Sequence, residues 1–413
     1  MRLKKPHYAW TVCIGCALLL FCTSGLAVNA FIIYQPFIME QNGFSNTRTS
    51  SIVSFRTFAG LVGMLLSGVF YKKVSLRNGM GLAGIASAAG FALFGLAKTY
   101  PVYCLAAAVA GIGYGLGAMI PIAIVIRSWF YESRNLAIGI CSAATGLSTL
   151  GIPSLITKLI SRIGLGRTFL AEAAVMTAAV AVSYLMIRSS PEDKGVRPFG
   201  TKTDEPLRKT SPAGLTAGQS ALLFPAIFLV GGVMSVAYCH FSVLITGEGY
   251  DASDAALASA FSGAALIIGK ILYGRLGDRI TNYKSNYIFG PLLFSGCLLC
   301  CFIPYGKAVV YISELVFSAG MAFTSVGLTA WATDLSSEEK CNGNIRLFQI
   351  LYAAGTLAFS PLPGMIADRT GGSYIPAYAM FAALALYIIA AVQYCYRQAE
   401  NQKKRLTDRR IHT

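Results

Sequence analysis

Four charged side chains lie inside long apolar stretches of this 413-residue chain: Arg56, Glu172, Lys270 and Glu314. A charge at the centre of a bilayer costs about 3 kcal/mol or more, so each needs a partner, water or a function. Arg56 and Lys270 are cations of the kind that neutralise a carboxylate. Lys270 offers a point charge and not the bidentate fork of an arginine, which lowers selectivity for a planar dicarboxylate. His240, within Tyr238-Cys-His240-Phe-Ser242, is the one histidine inside an apolar run. Histidine is a side chain suited to proton relay. Glu314 is a second group able to carry a proton. Each has a plainer alternative. Lys270 and Arg56 are both placed to snorkel towards an interface, and Arg56 and Glu314 are shallow enough to pair. His240 is equally a packing histidine, Glu314 a paired structural acid, and Glu172 an outer-interface residue.

The stretches that carry these groups are long enough to cross a membrane. The chain is 55% hydrophobic and 13% charged, about half the charge of a soluble domain. Apolar runs cover 8–39, 52–71, 78–97, 101–126, 135–157, 168–187, 220–246, 255–274, 286–306, 308–333, 347–367 and 374–396. A bilayer-crossing helix needs ~20 such residues. Strands of a membrane barrel would be ~10 residues of alternating polarity, so the spans are helical. The first run has no charge over 32 residues and no small-residue cleavage site, which marks it as an uncleaved helix and not a signal peptide. The expected fold class is an all-α, multi-pass membrane protein of twelve transmembrane helices.

The formal charge of +16 does not signal nucleic acid. Of the 34 basic residues, 25 fall on the side of the N-terminus and 7 on the other. By the positive-inside rule both termini are cytoplasmic. Trp10, Trp129 and Trp331 fall at inner helix ends, where an interfacial belt is expected. The eleven cysteines lie mostly in apolar runs and read as small packing residues, not as redox or zinc pairs. The glycines from Gly111 to Gly117 read likewise as close-packing residues.

The polar stretch 188–219 divides the chain into an N-terminal bundle, 1–187, and a C-terminal bundle, 220–396, followed by a basic tail, 397–413. Two echoes suggest duplication. Gly274-Arg-Leu-Gly-Asp278-Arg279-Ile-Thr-Asn-Tyr-Lys284 follows the eighth run as Gly68-Val-Phe-Tyr-Lys72-Lys73-Val-Ser-Leu-Arg77 follows the second. Gly146-(x)4-Gly151-x-Pro153 in the fifth run is matched by Gly355-(x)4-Ser360-Pro361-x-Pro363 in the eleventh. Transporters are commonly built from such repeats.

With a 6+6 arrangement, a long linker and the 274–284 loop, the chain resembles the major facilitator superfamily. Arg127-Ser-Trp129-Phe130-(x)3-Arg134-x-x-Ala137-x-Gly139, with Pro361-x-Pro363-Gly364-(x)3-Asp368, resembles the oxalate/formate antiporter and monocarboxylate transporter group. The resemblance implies two pseudo-symmetric six-helix bundles, with Gly274, Asp278 and Arg279 bracing an inner gate. Arg127 and Arg134 belong to the matching first-half segment. In the first-half copy of the gate motif Lys72 stands where the acid is expected. The resemblance also implies a carboxylate-binding cation on the eighth helix, which is Lys270 in Lys270-Ile-Leu-Tyr273-Gly274. On the eleventh helix a second cation is replaced by the stretch Gln349-Ile-Leu-Tyr352. Tyr34 and Tyr114 are further hydroxyl donors, with aromatic packing as their alternative.

The expectation is a secondary active transporter of small organic anions, monocarboxylates by group resemblance, in the plasma membrane. It would use proton symport or exchange for a counter-anion, as a monomer in the lipid bilayer. Efflux of drugs or neutral solutes by the same fold is the rival, with a non-transporting receptor behind it. No cluster of catalytic type and no G-x-x-x-x-G-K-[ST] loop is present, so neither an enzyme nor an ATP-driven pump is expected. No cofactor or metal is expected.

Overall fold

The computed structural model describes residues 7–200 and 214–411. Among them the regular elements are helices, with one isolated bridge between Phe130 and Phe199. Eleven helices are long and apolar enough to cross a membrane. In chain order they are α1 (Tyr8–Asn29), α2 (Arg48–Lys73), α3 (Leu76–Leu96), α4 (Tyr100–Trp129), α5 (Arg134–Ile163), α6 (Leu165–Met186), α7 (Ala217–Gly247) and α8 (Ser253–Ile280). After α9 come α10 (Lys307–Asp334), α11 (Glu338–Arg369) and α12 (Ile375–Gln402). The run expected at 286–306 folds as α9, Asn282–Cys300. Its first turn, Asn282-Tyr-Lys-Ser285-Asn286, is too polar for it to meet the same apolar standard.

The chain forms two compact units, Met1–Thr201 and Lys202–Thr413. In the first, α4 packs on α2 and α3, α3 on α6, and α1 on α5 and α6. In the second, α10 packs on α8 and α9, α9 on α12, and α7 on α11 and α12. Adding six to each helix number of the first unit reproduces the second. The two sequence echoes are therefore the residue of a duplicated neighbour scheme.

Small residues set the closest approaches, as lipid-immersed helices require. A Cβ on Gly111 or Gly115 would lie 2.2 Å from the Arg56 carbonyl or 2.1 Å from the Gly60 carbonyl of α2. One on Gly113 or Gly117 would meet Ser87 or Ala83 of α3. Alternate glycines thus serve opposite neighbours of α4, because residues four apart share a helix face.

Two expectations need correction. The 274–284 segment is not a loop: α8 stays helical through Ile280. The chain reverses at Thr281, φ 95°, whose hydroxyl accepts from the Lys284 N–H at 3.4 Å and so caps α9. The stretch from 188 begins with ordered backbone. Ser190 caps a short turn, Pro191–Lys194, and Phe199 pairs through its backbone with Trp129 (2.8 Å) and Tyr131 (2.9 Å). The Phe199 ring packs on His7 and Trp10. This strap joins the beginning of α1 to the end of α4. Lastly, Trp129 and Trp331 are wholly buried and form no lipid-facing belt. Their indoles donate inward, to the Arg188 carbonyl at 3.0 Å and to Asn286 Oδ1 at 3.4 Å.

Candidate functional site

Irregular backbone marks the same helices in both units. After Leu20, α1 turns π-helical over Phe21–Asn29. In α7 the π-helical stretch is Gly231–Val236. α4 breaks at Ala118, and α10 at Met321 and Val326. α5 breaks before Gly151, φ 94°, and α11 at Ser360-Pro361. The echoed Gly/Pro segments in the sequence are these last two breaks. At membrane depth, non-helical backbone is tolerated only where protein buries it or water lines it. The irregular stretches lie largely among buried residues, among them Thr23, Ala27, Ala118, Val233 and Val326.

In the first unit, Arg56 lies against the irregular part of α1. Its guanidinium donates to the Ala27 carbonyl at 2.9 Å and sits 4.8 Å over the Phe31 ring. It is only 5% exposed. Tyr114, half-buried on α4, packs at Gly60, four residues along α2 from Arg56. Tyr34 is wholly buried, stacked on Phe169 at 4.0 Å, and its hydroxyl donates to Glu172 Oε2. Glu172 is thus engaged within the protein by Tyr34. Phe169, three residues earlier on α6, holds Tyr34 where its hydroxyl meets the carboxylate. Glu172 Oε1 is buried without a hydrogen-bond partner.

In the second unit, Lys270 on α8 is 5% exposed. The adjacent Gly269 lets α10 approach so closely that a Cβ there would lie 2.9 Å from the Ala319 carbonyl. Glu314 on α10 is 2% exposed, with the hydroxyls of Ser262 (α8) and Ser318 (α10) at its carboxyl and 2.6 Å from one another. Glu314 Oε2 is buried without a partner. Ser262 precedes Lys270 by about two turns of α8. His240 is half-buried. Its Nδ1 lies 2.9 Å from the Val236 carbonyl at the end of the π-helical stretch, and its ring is 6.1 Å from that of Tyr374. On α11, Gln349 is buried and Tyr352 half-buried. The Tyr352 carbonyl would stand 1.9 Å from a Cβ on Gly231 of α7.

Of the gate-motif residues, Gly274 is buried, and Asp278 and Arg279 are exposed on the last turns of α8. Arg134 donates to the Phe130 carbonyl at 3.1 Å and to the Arg127 carbonyl at 3.4 Å. It thereby closes off the end of α4.

A polar cluster at the end of α10 escaped the sequence reading. Asp334 Oδ2 accepts from Asn282 Nδ2 at 2.7 Å and from the Tyr396 hydroxyl at 2.9 Å. Tyr273 donates to Asn286 Oδ1 at 2.7 Å, so α8, α9, α10 and α12 are tied together. The signal was present: Trp331-Ala-Thr-Asp334 ends the fourth helix of its unit as Trp129-Phe-Tyr-Glu132 ends that of the other. A cleft of about 350 Å³ lies in the second unit, lined by Ser220, Phe224, Ser336, Ser337, Lys340 and Asn344 among others. Among the described residues no group of three or more His, Cys, Asp or Glu is placed to hold a metal ion.

The Major Facilitator Superfamily profile matches residues 17–342. The chain is 25% identical over 334 residues to "Agnestins efflux protein AgnL12" of Paecilomyces divaricatus, covering 78% of this chain and 72% of that protein. It is 24% identical over 325 residues to "Monocarboxylate transporter 13" of Bos taurus, covering 77% and 72%. Among solved structures it superposes on a Major Facilitator Superfamily transporter, FucP, in the outward conformation. That match has a TM-score of 0.71 at 16% identity, over 94% of this chain and 99% of that one.

Proposed function

Because the chain belongs to the Major Facilitator Superfamily, and is therefore a multi-pass membrane transporter and not an enzyme, we propose that it moves small organic anions, monocarboxylates foremost, by alternating access. The observation that carries this reading is the pair of buried cations. Arg56 and Lys270 are each 5% exposed and stand on the second helix of their respective units. Ionisable side chains are rare inside membrane-spanning helices and mark substrate or ion paths, and a carboxylate carries the charge that matches these two. The likeness to a monocarboxylate transporter agrees with this choice.

In this reading Arg56 and Lys270 neutralise the carboxylate, and Tyr114, Gln349 and Tyr352 supply hydrogen bonds. Tyr34, whose hydroxyl is engaged by Glu172, positions the Arg56 wall. His240 and Glu314 carry the protons of a symport cycle, or stand idle if a counter-anion drives exchange. Gly274, Asp278, Arg279, Arg127 and Arg134 brace the cytoplasmic gate. The protein works as a monomer in the plasma membrane with both termini in the cytoplasm. Its bundles are 1–187 and 220–396, joined by 188–219 and followed by the tail 397–413.

Lys270→Ala in proteoliposomes tests the assignment. Uptake of labelled monocarboxylates should fall at least tenfold with an unchanged melting temperature, and Lys270→Arg should restore part of it. Unchanged uptake in Lys270→Ala would remove the residue from the mechanism. The second reading, efflux of neutral or drug-like solutes, is favoured by the likeness to a fungal efflux protein. Competition separates the two: short carboxylates should inhibit transport, and neutral solutes should not.

A further inference from the structure

Glu172 has no part in the transport cycle above, yet it is built into the wall that holds Arg56. One carboxylate oxygen accepts from the Tyr34 hydroxyl, and the other, Oε1, is buried with no hydrogen-bond partner. Around them lies an aromatic box. Tyr34 stacks on Phe169 at 4.0 Å, and Phe31 packs on Phe94 at 4.8 Å and on Phe91 at 6.1 Å. A carboxylate needs several donors to replace its lost water. Here Oε1 has none, and a proton on that oxygen removes the charge that would need them.

A short physical path runs from this carboxyl to the cation. Tyr34 lies 6.1 Å from Phe31, centroid to centroid, and Phe31 lies under the Arg56 guanidinium. Phe31 and Tyr34 follow directly on the π-helical stretch, whose Ala27 carbonyl takes the Arg56 donor. The stretch 27–34 thus carries the Tyr34 contact with Glu172 and the two Arg56 contacts named here.

We propose that Glu172 is a proton-binding site that couples proton uptake to the state of Arg56 through Tyr34 and Phe31. A proton from water adds to Oε1 to give the neutral acid, and its release regenerates the carboxylate. In the charged state Tyr34 is held tightly as donor. In the neutral state that hold weakens, and the α1 segment is released from Arg56.

Other titratable groups lie on the elements packed around α6. Cys22 of α1 stands beside the carboxyl with Tyr34. His7, Tyr8, Cys13 and Cys16 precede them on α1, Arg77 lies at the beginning of α3, and Arg134, Cys141, Lys158 and Arg162 belong to α5. Arg56 of α2 is reached through Phe31.

This inference rests on the anion-transport reading for its consequence, but not for its first test. Infrared difference spectra of the purified protein across a pH titration should show a carboxylic-acid C=O band. That band should be absent in Glu172→Gln and shifted in its pH midpoint in Tyr34→Phe, which keeps the carboxyl if Glu172→Gln fails to fold. In proteoliposomes, Glu172→Gln should retain exchange of labelled for unlabelled anion and lose at least tenfold of the stimulation by an acid-outside gradient. Spectra unaltered by both substitutions, or full gradient stimulation in Glu172→Gln, would overturn the proposal. If no carboxylate is transported at all, the spectra still decide the proton site, so the two failures are told apart.

Discussion

The crossing of α7 and α11 permits a sharp test, because a glycine of each helix meets backbone of the other there, Gly355 at Phe228 and Gly231 at Tyr352. A Cβ added at Gly355 would lie 1.8 Å from the Phe228 carbonyl oxygen, whereas ordinary contact begins at 3.4 Å. The neighbour must therefore give by about 1.6 Å, the difference between these distances, and it is helix backbone that cannot swing aside. Overpacking of ordinary severity costs about 1–3 kcal/mol, occasionally more, and this overlap belongs at the upper end. Against it stands the helix preference of Ala over Gly, about 1 kcal/mol. Gly355→Ala should thus lose about 2 kcal/mol net and melt several degrees below the wild type. Gly343, on the same helix, has open space around it. Gly343→Ala should gain up to about 1 kcal/mol. Thermal unfolding of the detergent-purified protein, followed by intrinsic fluorescence and by size-exclusion survival, reads both. If Gly355→Ala melts at or above the wild type, the crossing is not as drawn.

Other substitutions probe parts of the account separately. Lys307 pairs with Asp254 at 2.8 Å, but its side chain is 60% exposed, so solvent screens the pair and Lys307→Ala should leave the melting temperature almost unchanged; a clear fall would contradict this. Asp334→Ala leaves two buried donors, from Asn282 and Tyr396, without their acceptor, at about 1–3 kcal/mol each. Tyr396→Phe removes one bond only, so it should melt above Asp334→Ala, and the reverse order would refute the cluster's role. Phe199→Ala should free the strap over the α1–α4 end, seen as faster proteolytic cleavage between residues 188 and 200 with α-helical content unchanged.

The helices were legible because their signal is length and apolarity, which lipid imposes on every span. Residues at the ends were not, since polar turns such as Asn282–Asn286 continue a helix when neighbouring side chains satisfy them. Apolarity also fails to distinguish π- from α-helix, so the distorted parts of α1 and α7 went unseen. The breaks of α5 and α11 were foreshadowed by Gly151-x-Pro153 and Pro361-x-Pro363, whose backbone demands are local. Of the candidate site, the buried cations stood out because charge is rare in these runs. The Tyr34–Glu172 contact joins residues 138 apart in sequence, and no periodicity announces it. The order of the strap was not legible in its polar composition, because contacts distant in sequence hold it: the Trp129 indole on the Arg188 carbonyl and the Phe199 ring on Trp10.

The central claim is that the protein carries small organic anions, and counterflow in proteoliposomes tests it most directly. With purified protein, a preloaded unlabelled monocarboxylate should draw in the labelled form above its equilibrium level. Arg56→Ala and Lys270→Ala should each abolish that overshoot. Overshoot with a neutral solute but not with any monocarboxylate, unaffected by either substitution, would contradict the account.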